Sequence, residues 1–520
     1  MGGNFLNSIK LLYSVNDSPI LRTELIEKRE YQDRIASTAV TKNTLIILPT
    51  ALGKTIIAII AISRLIEGGG KALFLAPTRP LVNQHLGSLR RFIDLPAEQI
   101  VEVTGEVKKN ERKTLYKNAR IIVSTPQVVD NDRELIQDIV GDIKVVIFDE
   151  AHRAVGDYSY VEIASFLEGR SRIIGMTASP GSNRERIDDI MKNLHIETVE
   201  IRDENSSDVS EYMKGVEIEW VRLDMPPELK HIVSNLKEYY DSIIERLKWF
   251  IPHLTGKSRK EIIETGESIS QEIRKGNRTF YSAARLRTQA IMVDYLLEFA
   301  ETQGGAPFLE YLTEIKKENV KQNKLFKDER FVRIEKESQR LIGSPVKNHT
   351  PKMAKIKDIL EEIEFEKAII FCHFRITSSI LSNFLRNEGY ACEKFVGQSS
   401  HGNDEGLKQK DQKKIIERFK MGDTRILVAT QVGEEGLDIP SADLVIFYEP
   451  VPSEIRSIQR RGRTGRFGKG RAIILVMNDS RDVSYLYISE RKEKSMKNIL
   501  NEKRSGIKQT TMDTFLSEGD

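Results

Sequence analysis

Short apolar runs alternate with helical or charged stretches in the first part of the chain. The runs occupy residues 44–48, 72–77, 120–126, 144–150 and 172–179. Continuous apolar strands that alternate with helices are typical of a parallel sheet covered on both faces. The pattern therefore predicts an α/β fold in which polar groups at the carboxyl ends of the strands share one ligand-binding edge.

The same alternation returns late in the chain, at 367–375, 425–430, 443–449 and 471–477. Between the two parts, helical periodicity with long charged faces dominates and no strand-like run interrupts it. A block of this length is much longer than an ordinary connection. We expect a first parallel-sheet domain at 1–220, an all-helical insert at 221–347, a second parallel-sheet domain at 348–486 and a tail at 487–520.

Length and composition narrow the class of protein. A chain of 520 residues is too long for one core, and 39% hydrophobic with 30% charged residues describes a soluble, ordered protein. No signal peptide is recognisable, and no apolar run approaches the roughly 20 residues needed to cross a bilayer, so no membrane partner is expected. Cys372 and Cys392 lack metal-ligand spacing, which favours a reducing, cytoplasmic location. Because the net charge is only +3, any nucleic-acid contact must come from local patches.

The stretch 45-LIILPTALGKT-55 predicts a strand, a phosphate-binding loop and a helix. Backbone N–H groups of such a loop and the positive end of the following helix attract phosphate oxygens. Lys54 would reach the β- and γ-phosphates of ATP, and the Thr55 hydroxyl would hold Mg²⁺. The usual pattern has glycine at the position of Leu48, and often at that of Ala51. The candidate loop residues are Pro49, Thr50, Ala51, Leu52, Gly53, Lys54 and Thr55.

Two adjacent carboxylates follow the four apolar residues 145–148. Asp149 and Glu150 would repel each other at a strand end unless they share a cation or a proton. Asp149 is placed to hold Mg²⁺, and Glu150 to orient and deprotonate the attacking water. Upstream, Gln32 could hold the adenine edge with Tyr31 or Arg29 against the ring, although a plain helix surface explains that segment equally well.

The second half of the chain lacks a phosphate loop and has 458-IQRRGRTGR-466 instead. If this segment faces ATP bound to the first domain, Arg463 and Arg466 could neutralise charge on the γ-phosphoryl group. The insert carries basic groups around Lys257, Arg259 and Lys316 that could contact nucleic acid, or that could be solvated helix faces.

These motifs together resemble the superfamily 2 helicases, over most of residues 25–480. LPTALGKT, APTRP, STPQ, DEAH, TASP, FCHFR, ATQVGEEGLD and QRRGRTGR occur in the order of that family. Within it, DEAHRAVGDYSYV and the helical insert make the chain most similar to archaeal Hef and the Fanconi anaemia M-type DNA translocases. The resemblance implies two RecA-like domains and an ATP- and Mg²⁺-dependent helicase that acts on forked or branched DNA in repair, moving 3′ to 5′.

The resemblance also implies site residues. It assigns Lys54, Asp149, Glu150, Gln459, Arg463 and Arg466 to catalysis, and Gly436 and Asp438 to nucleotide contacts. Candidate nucleic-acid contacts are Thr78, Arg79, Thr104, Gly105, Thr125, Pro126, Arg375 and Thr430. The tail segment QTTMDTFL is similar to the motif by which repair proteins bind the sliding clamp PCNA, through Gln509, Met512, Phe515 and Leu516.

Hef commonly carries a nuclease, and we expect none here, so a separate structure-specific nuclease would collaborate. The location implied is the cytoplasm, at the nucleoid. Two alternatives stay open: an RNA-dependent ATPase similar to innate RNA sensors, and a clamp-tethered scaffold whose ATPase has decayed.

Overall fold

The computed structural model describes residues 18–49, 52–202, 206–209, 212, 217–319, 324–342, 351–397, 406–430, 442–450, 471–488, 490–492, 494–496, 498, 499 and 502.

The strands are short and mostly buried along their whole length. In the described residues they are β1 (Thr44–Ile47), β2 (Lys71–Leu75), β3 (Ile100–Val103), β4 (Ile121–Ser124), β5 (Ile143–Asp149), β6 (Arg172–Thr177), β7 (Thr198–Ile201), β8 (Glu217–Leu223), β9 (Ala368–Phe371), β10 (Cys392–Phe395), β11 (Ile426–Ala429), β12 (Leu444–Phe447) and β13 (Arg471–Met477).

Helices connect these strands and form the middle of the chain. They are α1 (Glu30–Thr41), α2 (Lys54–Ile66), α3 (Arg79–Phe92), α4 (Lys109–Asn118), α5 (Pro126–Asn131), α6 (Arg133–Ile136), α7 (Ser159–Leu167), α8 (Arg184–Asn193), α9 (Pro227–Lys248), α10 (Arg259–Arg274), α11 (Phe280–Glu298), α12 (Gly305–Asn319), α13 (Glu329–Ile342), α14 (Pro351–Glu362), α15 (Arg375–Asn387) and α16 (Gln409–Met421).

The first sheet is parallel, with the strand order β3-β4-β2-β5-β6-β1-β7. Its strands are apolar on both faces, so a separate hydrophobic core lies on each side. The register aligns the strand ends, with Ile47 opposite Thr177 and Asp149 opposite Met176. The ends of all these strands therefore meet at one edge.

The second sheet is also parallel, in the order β10-β11-β9-β12-β13-β8. β8 pairs with β13 from Glu217 to Leu223, so the boundary predicted at residue 220 falls inside a strand of the second sheet. The first domain therefore ends before residue 217. The sequence EIEWVRL mixes polar and apolar residues, which is typical of an edge strand and unlike the continuous apolar runs used to predict strands.

The middle of the chain is helical from α9 to α13, and the predicted fold of two parallel sheets with a helical insert is confirmed. The insert has its own core, which also packs against Met477 of β13 and Phe374 beside β9. A short π-helical segment, Phe299–Gln303, brings Gln303 to the second sheet. There Tyr448 donates a hydrogen bond to the Gln303 carbonyl oxygen at 2.8 Å, and Thr377 donates one to its side-chain oxygen at 2.8 Å. The insert is thus fastened to the second sheet.

None of the helices that the structure describes combines the length and the apolarity needed to cross a membrane.

Candidate nucleotide and nucleic-acid site

The phosphate-loop candidate lies between β1 and α2. Gly53 has φ +76°, a left-handed conformation, and a Cβ atom there would lie 2.3 Å from the Gln32 side-chain nitrogen. Only glycine fits this position. Lys54 begins α2, and its ammonium group donates a hydrogen bond to the Leu48 carbonyl oxygen at 2.8 Å. Thr55 is in the first helical turn, where backbone N–H groups have no partner inside the helix.

Two side chains of α1 support this loop from behind. The Tyr31 hydroxyl and the Gln32 amide both donate to the Leu52 carbonyl oxygen, at 2.8 and 3.1 Å. Arg29, at the start of α1, pairs with Glu27 at 2.8 Å and lies over the Tyr212 ring at 5.5 Å. Arg29 and Gln32 therefore stand beside the loop. Pro49 precedes it, and Thr50 and Ala51 lie outside the described residues.

The carboxylate pair stands at the end of β5. Asp149 is buried, and Glu150 has φ +50°, a conformation that costs a non-glycine residue of the order of 1 kcal/mol or more. Strain of this kind concentrates at functional sites. Burial by itself raises the pKa of Asp149, but the His85 side chain and the Lys54 charge outweigh that effect, so the pKa is lowered. Asp149 therefore stays a carboxylate, which fits the oxygen ligands that Mg²⁺ prefers.

His85 was not among the predicted site residues, and its side chain contacts the carboxylate of Asp149 directly. Its Nε2 atom lies 2.8 Å from Asp149 Oδ2, and both side chains are buried. The ring packs on Phe74 at 4.4 Å between centroids. A lone histidine within LVNQHL carries no spacing signal, and only the folded structure, which brings His85 of α3 to the end of β5, shows its partner.

A second histidine connects Glu150 to the next strand. His152 Nδ1 lies 3.3 Å from Glu150 Oε2 and 3.1 Å from the Thr177 hydroxyl at the end of β6. Thr177 in turn contacts Ser179, whose hydroxyl donates to Met496 Sδ at 2.8 Å. The TASP segment thus links the carboxylate turn to the returning C-terminal segment of the chain.

The strand order divides this edge into two halves. β5, β6 and β1 are neighbours and carry the carboxylates, Thr177 and the phosphate loop. β3, β4 and β2 are neighbours too, and their ends carry the candidate nucleic-acid residues Thr104, Gly105, Thr125, Pro126, Thr78 and Arg79. Since β2 pairs with β5, the His85–Asp149 contact lies at the junction between the two halves.

Within the nucleic-acid half the side chains differ in their accessibility. Thr78 directly precedes α3, and its hydroxyl is buried without a hydrogen-bond partner among the described residues. Arg79 is half exposed and pairs with Glu106. Thr104 is buried, Gly105 is exposed, Thr125 precedes α5 and Pro126 begins it.

The second sheet presents part of its candidate set. Arg375 begins α15 after β9 and donates to the Gly397 carbonyl oxygen at 3.1 Å, and Thr430 is buried after β11. Glu449 follows β12 and is buried, where it accepts hydrogen bonds from the His373 N–H and, at 3.3 Å, from the Gln303 amide. Other predicted residues lie outside the described residues: Gly436, Asp438, Gln459, Arg463, Arg466, Gln509, Met512, Phe515 and Leu516.

Some basic residues of the insert are structural. Arg259 contacts Asp294 and Glu298 at 2.5 Å each and lies 3.6 Å from the Tyr295 ring centroid. Burial opposes its charge, but Glu298 and Asp294 outweigh that effect and raise the pKa of Arg259. The hypothesis that Arg259 belongs to a nucleic-acid surface is therefore wrong, because two buried carboxylates already neutralise it. Lys316 likewise pairs with Glu335.

A phosphate loop beside strand-end carboxylates, with a second parallel sheet in the same chain, defines the class of ATP-hydrolysing helicases with two RecA-like domains. Family models agree: the DEAD/DEAH box helicase model matches residues 29–187, and the helicase conserved C-terminal domain matches residues 351–468. The crystal structure of the Pyrococcus furiosus Hef helicase domain is 38% identical, with a TM-score of 0.68, and the match covers 91% of this chain and 100% of that one. The chain belongs to the DEAD/DEAH box helicases, and its first domain is of the ATP-binding type.

Curated relatives resemble the chain over most of its length. A Methanocaldococcus jannaschii protein named as an ATP-dependent RNA helicase is 36% identical over 93% of this chain. The FANCM helicase of Arabidopsis thaliana, also named as an RNA helicase, is 31% identical over 95%. The ATP-dependent DNA helicase fml1 of Schizosaccharomyces pombe is 29% identical over 88%. The chain spans 62%, 37% and 58% of the length of these three relatives.

Proposed function

We propose that this protein is an ATP-driven DNA helicase or translocase that acts on forked and branched DNA during repair of replication forks, moving 3′ to 5′. The His85–Asp149 contact carries this proposal, because it joins the nucleotide half of the first sheet's edge to the nucleic-acid half. Similarity to the Hef helicase domain and to named DNA helicases supports DNA as the substrate.

Each half of the site has a proposed role. Lys54 binds the β- and γ-phosphates, Glu150 activates water, and Arg29 and Gln32 contact the adenine. Thr55 and Asp149 would hold Mg²⁺, which would neutralise charge on the triphosphate. From the second domain, Arg463 and Arg466 stabilise the γ-phosphoryl charge, assisted by Gln459, Gly436 and Asp438. The strand-end residues of both sheets bind the DNA backbone, which needs donors more than base readout.

Movement of the second domain relative to the first is the proposed step that couples ATP hydrolysis to movement along DNA. ATP draws the arginines of the second domain toward Lys54, and hydrolysis releases them, so the two sheets alternate their grip on one strand. Because Gln303 fastens the insert to Tyr448 and Glu449, the insert moves with the second sheet. Each cycle of ATP hydrolysis thereby displaces the insert relative to the first domain.

Further partners follow from the tail and from the chemistry. We propose that residues 509–516 bind a sliding clamp of the PCNA type, with Met512, Phe515 and Leu516 filling an apolar pocket. A separate structure-specific nuclease would cut the remodelled junction. Cys372 and Cys392 are buried and form no disulfide, which suits a reducing location at the nucleoid, and burial raises the pKa of Cys392 to about 12, so that it stays a thiol.

An RNA-dependent ATPase is the second candidate. Two of the relatives above are named as RNA helicases, and they are 36% and 31% identical to this chain. The same strand-end donors would bind an RNA backbone, so the substrate has to be determined by measurement.

ATP turnover on a matched panel tests the proposal. Forked DNA, a four-way junction, linear duplex DNA and duplex RNA are compared at one nucleotide concentration, and strand separation is followed on each. We expect forked and four-way DNA to stimulate turnover most, and Lys54→Ala to abolish it. Stimulation by RNA alone would replace the proposal with the second candidate, and equal slow turnover by wild type and Lys54→Ala would indicate a decayed ATPase.

The arginine assignment has its own test. Arg466→Ala should still bind a fluorescent ATP analogue while its DNA-stimulated turnover falls about a thousandfold. Turnover by Arg466→Ala at the wild-type rate would contradict the assignment of Arg466 to the ATP site.

A further inference from the structure

Two aromatic rings project into solvent at one end of the helical insert. Trp249 follows the last turn of α9 and is 87% exposed, and Tyr281, the second residue of α11, is 60% exposed. Their chain neighbours Phe250 and Phe280 pack edge to face, with centroids 5.6 Å apart. The packed pair holds the two helix ends together, so both exposed rings belong to a single surface rather than to scattered positions.

A basic cleft adjoins this surface. Arg246, Arg285 and Lys327 line a cavity of about 350 Å³, together with Ser282, Gln289 and Asp328. Among the described residues, none of the three cations pairs with a carboxylate, and Asp328 is engaged by Arg330 at 3.6 Å. The cleft therefore has an excess of positive charge and donors to bind an anion.

Helix spacing places each ring next to a cation of the cleft. Arg246 precedes Trp249 by three residues, and Trp249 keeps helical backbone angles (φ −63°, ψ −27°). Tyr281 precedes Arg285 by four residues within α11. Residues three or four apart on a helix are surface neighbours. The surface thus offers two pairs of an aromatic ring and a guanidinium group, from two helices that meet.

We propose that this aromatic–basic tip, defined as Arg246, Trp249, Tyr281, Arg285 and Lys327, binds unpaired nucleotides of DNA at the point where two strands part. Bases stack on Trp249 and Tyr281, and the phosphates between them enter the cleft. This inference rests on the proposed function, and it adds a site that distinguishes single strand from duplex. In a duplex the faces of the bases are stacked on one another, so only the bases of a separated strand can stack on Trp249 and Tyr281. A protein partner of apolar character would leave three cations without counter-charge.

The chain contains a convenient reporter, since Trp220 and Trp249 are its two tryptophans. Trp220 lies in β8, outside the insert, so Trp220→Phe leaves Trp249 as the only source of tryptophan emission. This variant of the full chain is titrated with three probes: forked DNA with thymidine arms, oligothymidine, and blunt duplex of equal length. Fluorescence anisotropy of a labelled DNA end establishes saturation. We expect the fork and oligothymidine to quench Trp249 emission, and the duplex to leave it unchanged.

Binding of the fork by variants gives a second, independent measurement. Trp249→Ala should weaken fork binding about tenfold, since stacking on one aromatic residue contributes about that factor or more, and Trp249→Tyr should restore most of it. Ile263→Ala is the matched control, because Ile263 is 47% exposed on α10 of the same insert. Arg246→Ala and Arg285→Ala should each reduce the salt dependence of fork binding by about one phosphate contact, whereas Lys260→Ala should not.

The outcomes separate this inference from the proposed function. If saturating fork leaves Trp249 emission unchanged, and Trp249→Ala binds as wild type does, the tip is not a DNA site. Quenching of equal size by blunt duplex would also overturn the inference. ATP turnover is measured on the same samples. If DNA stimulates turnover without quenching Trp249 emission, only the proposed site at the tip is refuted. If no DNA stimulates turnover, the proposed function is refuted.

Discussion

The two parallel sheets place a buried carboxylate at corresponding positions and use it differently. Asp149 ends β5, the neighbour of β2, and Glu449 follows β12, the neighbour of β9. In the first sheet the partner is His85, from the helix after β2. In the second, the partners are the His373 N–H, directly after β9, and Gln303 of the insert.

The difference lies in what surrounds each carboxylate. Asp149 lies near the Lys54 charge and keeps its own charge, so its oxygens could hold a cation that neutralises a triphosphate. Glu449 accepts one hydrogen bond from the His373 backbone of its own domain and one from Gln303 of the insert. The same sheet architecture thus places a candidate catalytic carboxylate on the first sheet and a carboxylate that attaches the insert on the second. The difference follows from the side chain that packs against each strand end.

The largest effect should come from the same substitution made on each sheet. Asp149→Asn removes a charge from the reacting site and should lower DNA-stimulated ATP turnover about a hundredfold to a thousandfold. Glu449→Gln, the matched change, should lower it far less because its neighbours are structural. Steady-state ATP hydrolysis measures both, and similar losses in the two variants would contradict the comparison.

A third buried carboxylate extends the comparison to stability. Asp482 pairs with Lys352 at 2.6 Å, with both side chains fully buried, and burial raises the pKa of Asp482 to about 6 despite the Lys352 charge. Lys352→Met leaves the buried Asp482 carboxylate without counter-charge and should cost about 3 kcal/mol of unfolding free energy at pH 8. The double variant Lys352→Met/Asp482→Leu should recover most of that loss in urea unfolding.

The pH dependence of this stability has a definite sign. The folded state binds a proton on Asp482 below about pH 6, whereas the unfolded state binds it only near its ordinary pKa, about 4. Wild type should therefore gain stability relative to Asp482→Asn as pH falls from 7 to 4. A difference between the two proteins that does not change with pH would contradict the raised pKa of this group.

A smaller effect is expected at the junction of the two halves of the first sheet's edge. His85→Ala should reduce ATP turnover about tenfold and raise the Mg²⁺ concentration needed for half-maximal rate, because Asp149 loses its positioning partner. His85→Gln keeps a donor and should recover part of the rate. His231→Ala, an exposed histidine on the insert, is the control. An unchanged Mg²⁺ requirement in His85→Ala would refute a positioning role.

The smallest effect should appear at the attachment of the insert. Gln303→Ala removes the side-chain contacts to Glu449 and Thr377 and should reduce stimulation by forked DNA about threefold. Turnover without DNA should not change. Gln339→Ala, on α13, is the matched amide control, and equal loss of turnover with and without DNA would mean that Gln303 acts on the ATP site instead.

Periodicity and spacing predicted the parts of the fold that are continuous and local. The apolar runs at 44–48 and 145–148 correspond to β1 and β5, because strands buried on both faces have near-continuous apolar sequences. β3, β7, β8 and β10 were not predicted, since IVEV, TVEI, EIEWVRL and CEKF contain polar residues, which are accommodated at the edges of the two sheets.

Side-chain partners were less accessible to prediction than elements. The carboxylate pair and the glycine of the loop were recognisable from their neighbours in sequence. His85 and Asp149 are 64 residues apart, and Lys352 and Asp482 are 130 apart, so no local spacing could pair them. Arg259 looked like a surface cation because its partners, Asp294 and Glu298, come from a later helix.

The C-terminal segment returns from the second sheet to the first. Met496 and Ile499 are buried in a core of the first sheet, and Glu502 pairs with Arg184 of α8. Gln509 follows Glu502 by seven residues, which span at most about 25 Å. A clamp bound at residues 509–516 would therefore be tethered to the first domain, which holds the phosphate loop. The second domain, which carries the insert, would be free to move relative to the clamp.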